Sequence, residues 1–360
     1  MPAYPTYEEL IGKTQVVDIT RMLPPAVAAK GVKLLGKCEF LNPGFSMKDR
    51  IARQIFDQAE SSGALKPGGT VVAASSGNTG AAVAMIGAMR GYEVVILTND
   101  KCSQEKQDSI KDYGAELIVV GKDKDYMEEA NVLSAKNGWF DVNQYDNHAN
   151  SLAHELTLGP EIWEQTGGAI THFVAGGSTG GTVTGVGRAL KKLKPEVQII
   201  LADPIGSVFE PFFRTKDLVK QGKFLVEGVG KGNIPGVMDF SVVDDCVLVS
   251  DDESFSTCHA LAQQEGLLIG GSGGMNVCAA MKVPLSTPLT PVTSAVQMAC
   301  RSDTGGCVTS KVAAKCTGPA VIMTILCDNG VKYLSKVYSN EWLTANAMSP
   351  VEDTSVLAKL

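Results

Sequence analysis

Short runs of aliphatic and β-branched residues recur along the chain at 70–74, 93–97, 116–120, 172–175 and 198–202. Each is followed by glycine or polar turn residues and then by a stretch long enough for a helix. Strands buried on both faces read as continuous apolar runs, and their alternation with helical segments predicts parallel sheets covered by helices, an α/β fold. The segment 80–90 is alanine-rich and small, which predicts a closely packed internal helix. Residues 51–59 are amphipathic and lie behind a Pro43-Gly44 turn; Ser46 is expected to cap this helix, with Lys48 in its first turn. The stretch 283–318 breaks the pattern. It is rich in Thr, Ser and Cys and weakly periodic, so a surface insertion is expected there, with one short helix near 293–300. Residues 345–360 read as a loose tail.

Composition narrows the class. The chain has 360 residues, 44% hydrophobic and 20% charged, which suits a globular protein of two domains or one large one. Its net charge of −7 leaves no electrostatic footprint for nucleic acid or an anionic membrane. No apolar run reaches membrane-spanning length, and the polar start does not resemble a signal peptide. Nine cysteines lack paired or metal-ligand spacing, so reduced thiols, a cytoplasmic location and no zinc are expected. The last residues, Ala358-Lys359-Leu360, approximate a peroxisomal address.

Four short motifs carry candidate chemistry. Lys48 sits where a helix dipole opposes positive charge, which favours the neutral amine and makes it a candidate Schiff-base nucleophile. The loop Ser75-Ser76-Gly77-Asn78-Thr79-Gly80 places hydroxyls, an amide and backbone N–H groups at a helix start, where they suit an anion. Gly176-Gly177-Ser178-Thr179-Gly180-Gly181-Thr182 does the same after the fourth strand, without the lysine of a nucleotide-binding P-loop. Its Ala175, Gly177 and Gly180, with Asp203 after the next strand, also approach a dinucleotide fingerprint, so an NAD-dependent oxidoreductase is the alternative enzyme. Finally, an apolar strand in the segment 265–274 is expected to end in a glycine turn presenting Ser272.

These motifs, in this order, resemble fold-type II pyridoxal-phosphate enzymes, and within them the cysteine synthase and cystathionine β-synthase family. The resemblance covers roughly residues 8–281 and 319–340 and includes Asn143-Gln144-Tyr145 and Asp328-Asn329-Gly330. It implies a tryptophan synthase β-like fold of two three-layer α/β/α subdomains with the cofactor between them. The smaller, mobile subdomain would span 46–150 and the larger 8–45 plus 151–344. Lys48 would be the Schiff-base lysine and the acid/base for the substrate α-proton. Ser178, Thr179, Gly180, Gly181 and Thr182 would hold the cofactor phosphate, Asn78 the ring 3′-oxygen, and Ser272 would face the ring nitrogen. Ser75, Ser76, Thr79 and Gln144 would bind the substrate carboxylate. The implied reaction is β-replacement on serine, O-acetylserine or cysteine through an aminoacrylate, with sulfide or a thiol as acceptor, in a homodimer. A catalytically dulled paralogue acting as a sensor is a further alternative. The chain departs from the family at Ser75 (usually Thr), at Ser178 (usually Gly), and at Lys231-Gly232-Asn233, which replaces the Tyr-Asp-Phe of cystathionine-forming relatives.

Overall fold

The computed structural model describes residues 4–75, 77–99, 102–121, 124–283, 319–353 and 357. Among these, ten strands form two sheets. Strands β1 (Val16–Asp18), β2 (Val32–Cys38), β7 (His172–Gly176), β8 (Gln198–Pro204), β9 (Asp245–Val249) and β10 (Ala320–Leu326) make the larger sheet, in the order β1-β2-β10-β7-β8-β9. Strands β3 (Thr70–Ala74), β4 (Glu93–Thr98), β5 (Glu116–Val119) and β6 (Phe140–Asp141) make the smaller, in the order β5-β4-β3-β6. All pairings are parallel except that of β1 with β2. All five apolar runs read from the sequence are strands, and helices separate most of them, as an α/β fold requires.

The smaller sheet packs on the helices Lys48–Ser61 and Asn78–Arg90. The first turns Ile51, Ala52, Ile55, Phe56 and Ala59 inward, the i, i+1, i+4, i+5, i+8 stripe of a one-sided helix. The second is buried through most of its length. Its small residues are required: a Cβ on Gly80 would lie 3.0 Å from Ile96 Cγ2, and one on Gly87 would overlap Val94. In the larger sheet, β7 and β8 bury Phe173, Val174, Ile199, Ile200 and Leu201 between helices Gly181–Leu193 and Gly271–Lys282.

A buried ion network ties the Lys48 helix to the larger sheet. The Arg50 guanidinium donates to both carboxylate oxygens of Glu39 (2.7 and 2.9 Å) and of Glu161 (2.7 and 2.8 Å). Lys37, on β2, joins through Glu161 at 2.8 Å.

Three sequence expectations change. The helix starts at Lys48 with Met47 as its cap residue; Ser46 instead accepts the Lys48 N–H from two residues back, at 3.3 Å. Residues 267–269 form no strand, because the helix Asp251–Glu265 ends at left-handed Gly266 and the next begins at Gly271, leaving Ile269 a single bridge to Asn329. The tail expected to be loose from 345 lies against the body through Asp353, with Ser349 bonded to Asp252 and Val351 accepting from Gln263. Of the expected insertion at 283–318, all but residue 283 lies outside the described residues, as does the terminal Ala358-Lys359-Leu360.

Candidate active site

Parallel strands that end in a loop and a helix deliver helix N-termini to the carboxyl edge of a sheet. Here four helix N-termini, three of them following strands, meet around one cleft. Lys48 is the first residue of its helix, Asn78 the first of Asn78–Arg90, Thr182 the second of Gly181–Leu193 and Ser272 the second of Gly271–Lys282; all four line the cleft. Ser178, Thr179 and Gly180 complete one wall, and Glu227, Cys327 and Tyr333 another. Converging helix N-termini create a positive field, which selects an anion.

The glycine loop is built for close approach. Gly180 adopts φ +81°, and a side chain there would run into Met238, so only glycine fits. The backbone N–H groups of Ser178, Thr179 and Gly180 have no acceptor among the described residues, and the Thr179 and Thr182 hydroxyls add further hydrogen-bonding capacity. Gly181 differs from the sequence expectation: it lies behind the wall, pressed on Asn150, and does not line the cleft. Thr182 Oγ1 lies 3.2 Å from His154 Nε2. Burial first, then the charges of Arg50 and Lys48, drives the His154 pKa down to about 3, so the ring is neutral.

Lys48 and Cys327 both line the cleft, and burial acts on them with opposite consequences. Burial lowers the Lys48 pKa, against the pull of Cys327 and Asp328, which raises its free-base fraction. Burial pushes the Cys327 thiol up to about 12, so it stays protonated and unreactive. Of the two groups, burial thus favours the amine as the available nucleophile.

Asn78 donates to Asp328 Oδ2 at 2.7 Å and accepts from Lys332 Nζ at 3.1 Å. Tyr333 also donates to Asp328, at 2.6 Å, while the other Asp328 oxygen is buried without a partner. Asp328, Lys332, Tyr333, Glu227 and His154 were missed as site residues. The Asp328-Asn329-Gly330 turn after an apolar run was the available signal for the first three.

Of the residues expected to take a carboxylate, Ser75, Thr79 and Gln144 lie together at the end of β3. Ser75 Oγ accepts the N–H groups of Gly77 (3.2 Å) and Gly80 (2.9 Å), which caps the helix behind it. Thr79 donates to Gln144 Oε1 at 2.8 Å, and Gln144 Nε2 donates to the Ala74 carbonyl at 2.9 Å. Ser76 lies outside the described residues.

The dinucleotide alternative loses its acidic residue. Asp203 is fully buried, and its carboxylate accepts the Glu210 N–H at 2.9 Å, so it caps the following turn and is withdrawn from any ribose. A monophosphate with a carbonyl fits instead: free backbone N–H groups and threonine hydroxyls for the phosphate, a lysine for an aldehyde, and an uncharged serine for a ring nitrogen.

Comparison with known proteins agrees with this donor set. The sequence pattern defining the pyridoxal-phosphate dependent enzymes matches residues 7–294. A cystathionine beta-synthase of Apis mellifera is 39% identical over 285 residues, 77% of this chain and 56% of the bee protein, so the chain spans little more than half the length of that relative. A cysteine synthase of Neurospora crassa is 33% identical, covering 92% of this chain and 83% of its own length. A cysteine synthase of Staphylococcus aureus is 37% identical, covering 76% and 86%. The crystal structure of an O-ureido-L-serine synthase superposes with a TM-score of 0.78 at 31% identity, covering 96% of this chain and all of its own.

Proposed function

The chain belongs to the pyridoxal-phosphate-dependent enzyme family, and on that premise we propose that it catalyses β-replacement on a serine-, O-acetylserine- or cysteine-type amino acid, yielding cysteine or a related thioether amino acid. The observation that carries this reading is the pairing of a desolvated Lys48 amine with a neutral Ser272 hydroxyl in one cleft walled by helix N-termini. Bound there, pyridoxal phosphate would supply the electron sink that allows an α-proton to be removed and a β-substituent to depart. Ser178, Thr179, Gly180 and Thr182 hold the phosphate, with Gly181 as the first residue of the helix behind it. Asn78 would meet the 3′-oxygen and Ser272 the ring nitrogen. Ser272 carries no charge, so it does not keep that nitrogen protonated as a carboxylate would; this favours prompt β-elimination over a long-lived carbanion.

Lys48 is the base that takes the substrate α-proton and returns it after addition; its burial lowers the pKa of the amine and so raises the free-base fraction. Ser75, Ser76, Thr79 and Gln144 orient the substrate carboxylate. In the net exchange the bond from Cβ to the leaving group breaks, a bond from Cβ to sulfur forms, and the thiol proton departs with the leaving group. Residues 46–150 act as the smaller mobile subdomain against 8–45 plus 151–344, supported by the separation of the strands between 70 and 141 into their own sheet. The enzyme is placed in the cytoplasm as a homodimer. That placement is supported by the family resemblance and by thiol-rich composition; among the described residues no helix is long and apolar enough to cross a membrane.

The test is product formation from O-acetylserine, serine or cysteine with sulfide or a thiol. Lys48→Ala should lower turnover by at least about a thousandfold while the circular dichroism spectrum is retained. Activity within tenfold of the parent would overturn the assignment.

A further inference from the structure

Lys332 is a cation placed behind Asn78 rather than in the cleft. It lies half-buried on the short helical turn Gly330–Tyr333, outside the cleft lining. Its Nζ donates to the Gly44 carbonyl at 3.0 Å and to Asn78 Oδ1 at 3.1 Å. Burial lowers its pKa, while the charges of Asp328 and Asp49 favour the ammonium. The same segment holds the turn ahead of Lys48. The Asn329 N–H donates to the Phe45 carbonyl at 3.3 Å, where Phe45 sits at φ +58°, a left-handed conformation that is costly for a bulky side chain. Lys332 therefore stands on a fixed platform, with one bond to the turn before Lys48 and one to Asn78.

The two ends of an asparagine amide are nearly alike in size, so packing alone does not decide which end faces which neighbour. Here the partners decide. A carboxylate only accepts, so Asp328 Oδ2, 2.7 Å away, holds Nδ2; an ammonium only donates, so Lys332 holds Oδ1. Turning the amide over would set oxygen against carboxylate and N–H against ammonium. Tyr333 donates to the same Asp328 oxygen at 2.6 Å and steadies it. Nδ2 carries two hydrogens; with one given to Asp328, the second remains for the cleft that Asn78 lines. Hydrogen bonds in a chain polarise one another, so a cation at the carbonyl end makes the N–H end a stronger donor.

We propose that Lys332 is a positioning residue for the cofactor's ring oxygen: it locks the Asn78 amide with an N–H toward the cleft and thereby favours the ionised form of that oxygen. This inference rests on the reading that Asn78 meets the 3′-oxygen, and deepens it. Lys332 acts through Asn78 and forms no part of the cleft wall.

The experiment records the absorption spectrum of the pyridoxal-phosphate-loaded enzyme, without substrate, in the parent, Lys332→Met, Lys332→Arg, Asn78→Ala and the double variant Asn78→Ala/Lys332→Met. The visible band reports the form with an ionised ring oxygen and the near-ultraviolet band the form with a neutral one. A charged hydrogen bond is worth about tenfold or more in an equilibrium, and part of that is lost in passing through an amide. The visible to near-ultraviolet ratio is therefore expected to fall at least about threefold in Lys332→Met, and to recover in Lys332→Arg. In the Asn78→Ala background, Lys332→Met should change the ratio no further. The borohydride-trapped label on Lys48 should persist in every variant. A lysine with a merely structural part would lower the melting temperature and leave the band ratio unmoved, which overturns the inference. An equal shift with and without Asn78 overturns it too. Should Lys332→Met not fold, Lys332→Gln is read in its place and the same two outcomes decide. An Asn78→Ala spectrum identical to the parent's overturns the placement of Asn78 at the ring oxygen, a failure of the underlying reading that is distinct from the other two.

Discussion

Replacing Arg50 by methionine tests whether the Lys48 helix is anchored by its ion network. Arg50 is 2% exposed and Glu39 0%, and the pair is joined by two hydrogen bonds at 2.7 and 2.9 Å. Removing one member of a buried pair costs about 3–5 kcal/mol, because the remaining charge is left without its partner. Glu39 would keep the Thr14 hydroxyl at 2.7 Å and the Asn42 amide at 3.0 Å, which places the expected loss near the lower end, about 3 kcal/mol. The double variant Glu39→Met/Arg50→Met removes the stranded charge and should recover at least half of that loss. Urea unfolding followed by circular dichroism, with a common m-value, measures both.

The same network predicts an acid dependence. Burial would raise the Glu161 pKa, but hydrogen bonds and charge from Arg50, then Lys37, hold it at about 2 against an ordinary 4.5. A carboxylate depressed in the folded state adds stability above its unfolded pKa and loses it as pH falls through the folded one. The difference between parent and Arg50→Met should therefore shrink as pH is lowered from about 4.5 toward 2. A single variant within 1 kcal/mol of the parent, a double variant no better than the single, or a pH-independent difference would each refute the reasoning.

Two other substitutions probe the cleft and the core behind it. Ser272→Asp should depress β-replacement at least tenfold by placing a charge beside the ring nitrogen, read as turnover at saturating substrate; an unchanged rate would count against Ser272 facing that atom. Gly87→Ala should cost about 1–3 kcal/mol through overlap with Val94 on β4, and an unaltered melting temperature would contradict the close packing of the helix on its strand.

What could be read from the sequence follows the range of the forces involved. The runs at 70–74, 93–97 and 198–202 are strands because they are apolar on both faces, which is a local property. Strand β2 escaped notice because Val32–Cys38 carries Lys33 and Lys37; the second is buried because the Thr14 carbonyl at 2.6 Å and Glu161 and Gln165, over 120 residues away, at 2.8 Å receive its ammonium. Strand β10 was also missed. Ala320–Leu326 is a nearly continuous apolar run like the strands that were read, so its existence was locally legible; only its pairing with β2 and β7, far off along the chain, was not. The site divides in the same way. Asn78 and Thr182 were legible because strand, glycine turn and helix start are adjacent in sequence, and Lys48 and Ser272 because a glycine turn precedes a helix start. Asp328 and Lys332, which grip Asn78, and His154 beside Thr182 acquire their roles only when distant segments meet. The pKa displacements were legible in direction alone for Lys48, where the expected helix-start position is joined by burial as the leading cause.

The central claim is that one amine, on Lys48, carries the cofactor. Reducing the protein with borohydride in the presence of pyridoxal phosphate, followed by tryptic digestion and mass mapping, addresses it directly. The account predicts one stoichiometric pyridoxyl label on Lys48, lost in Lys48→Ala; a label on another lysine, or none, would contradict it.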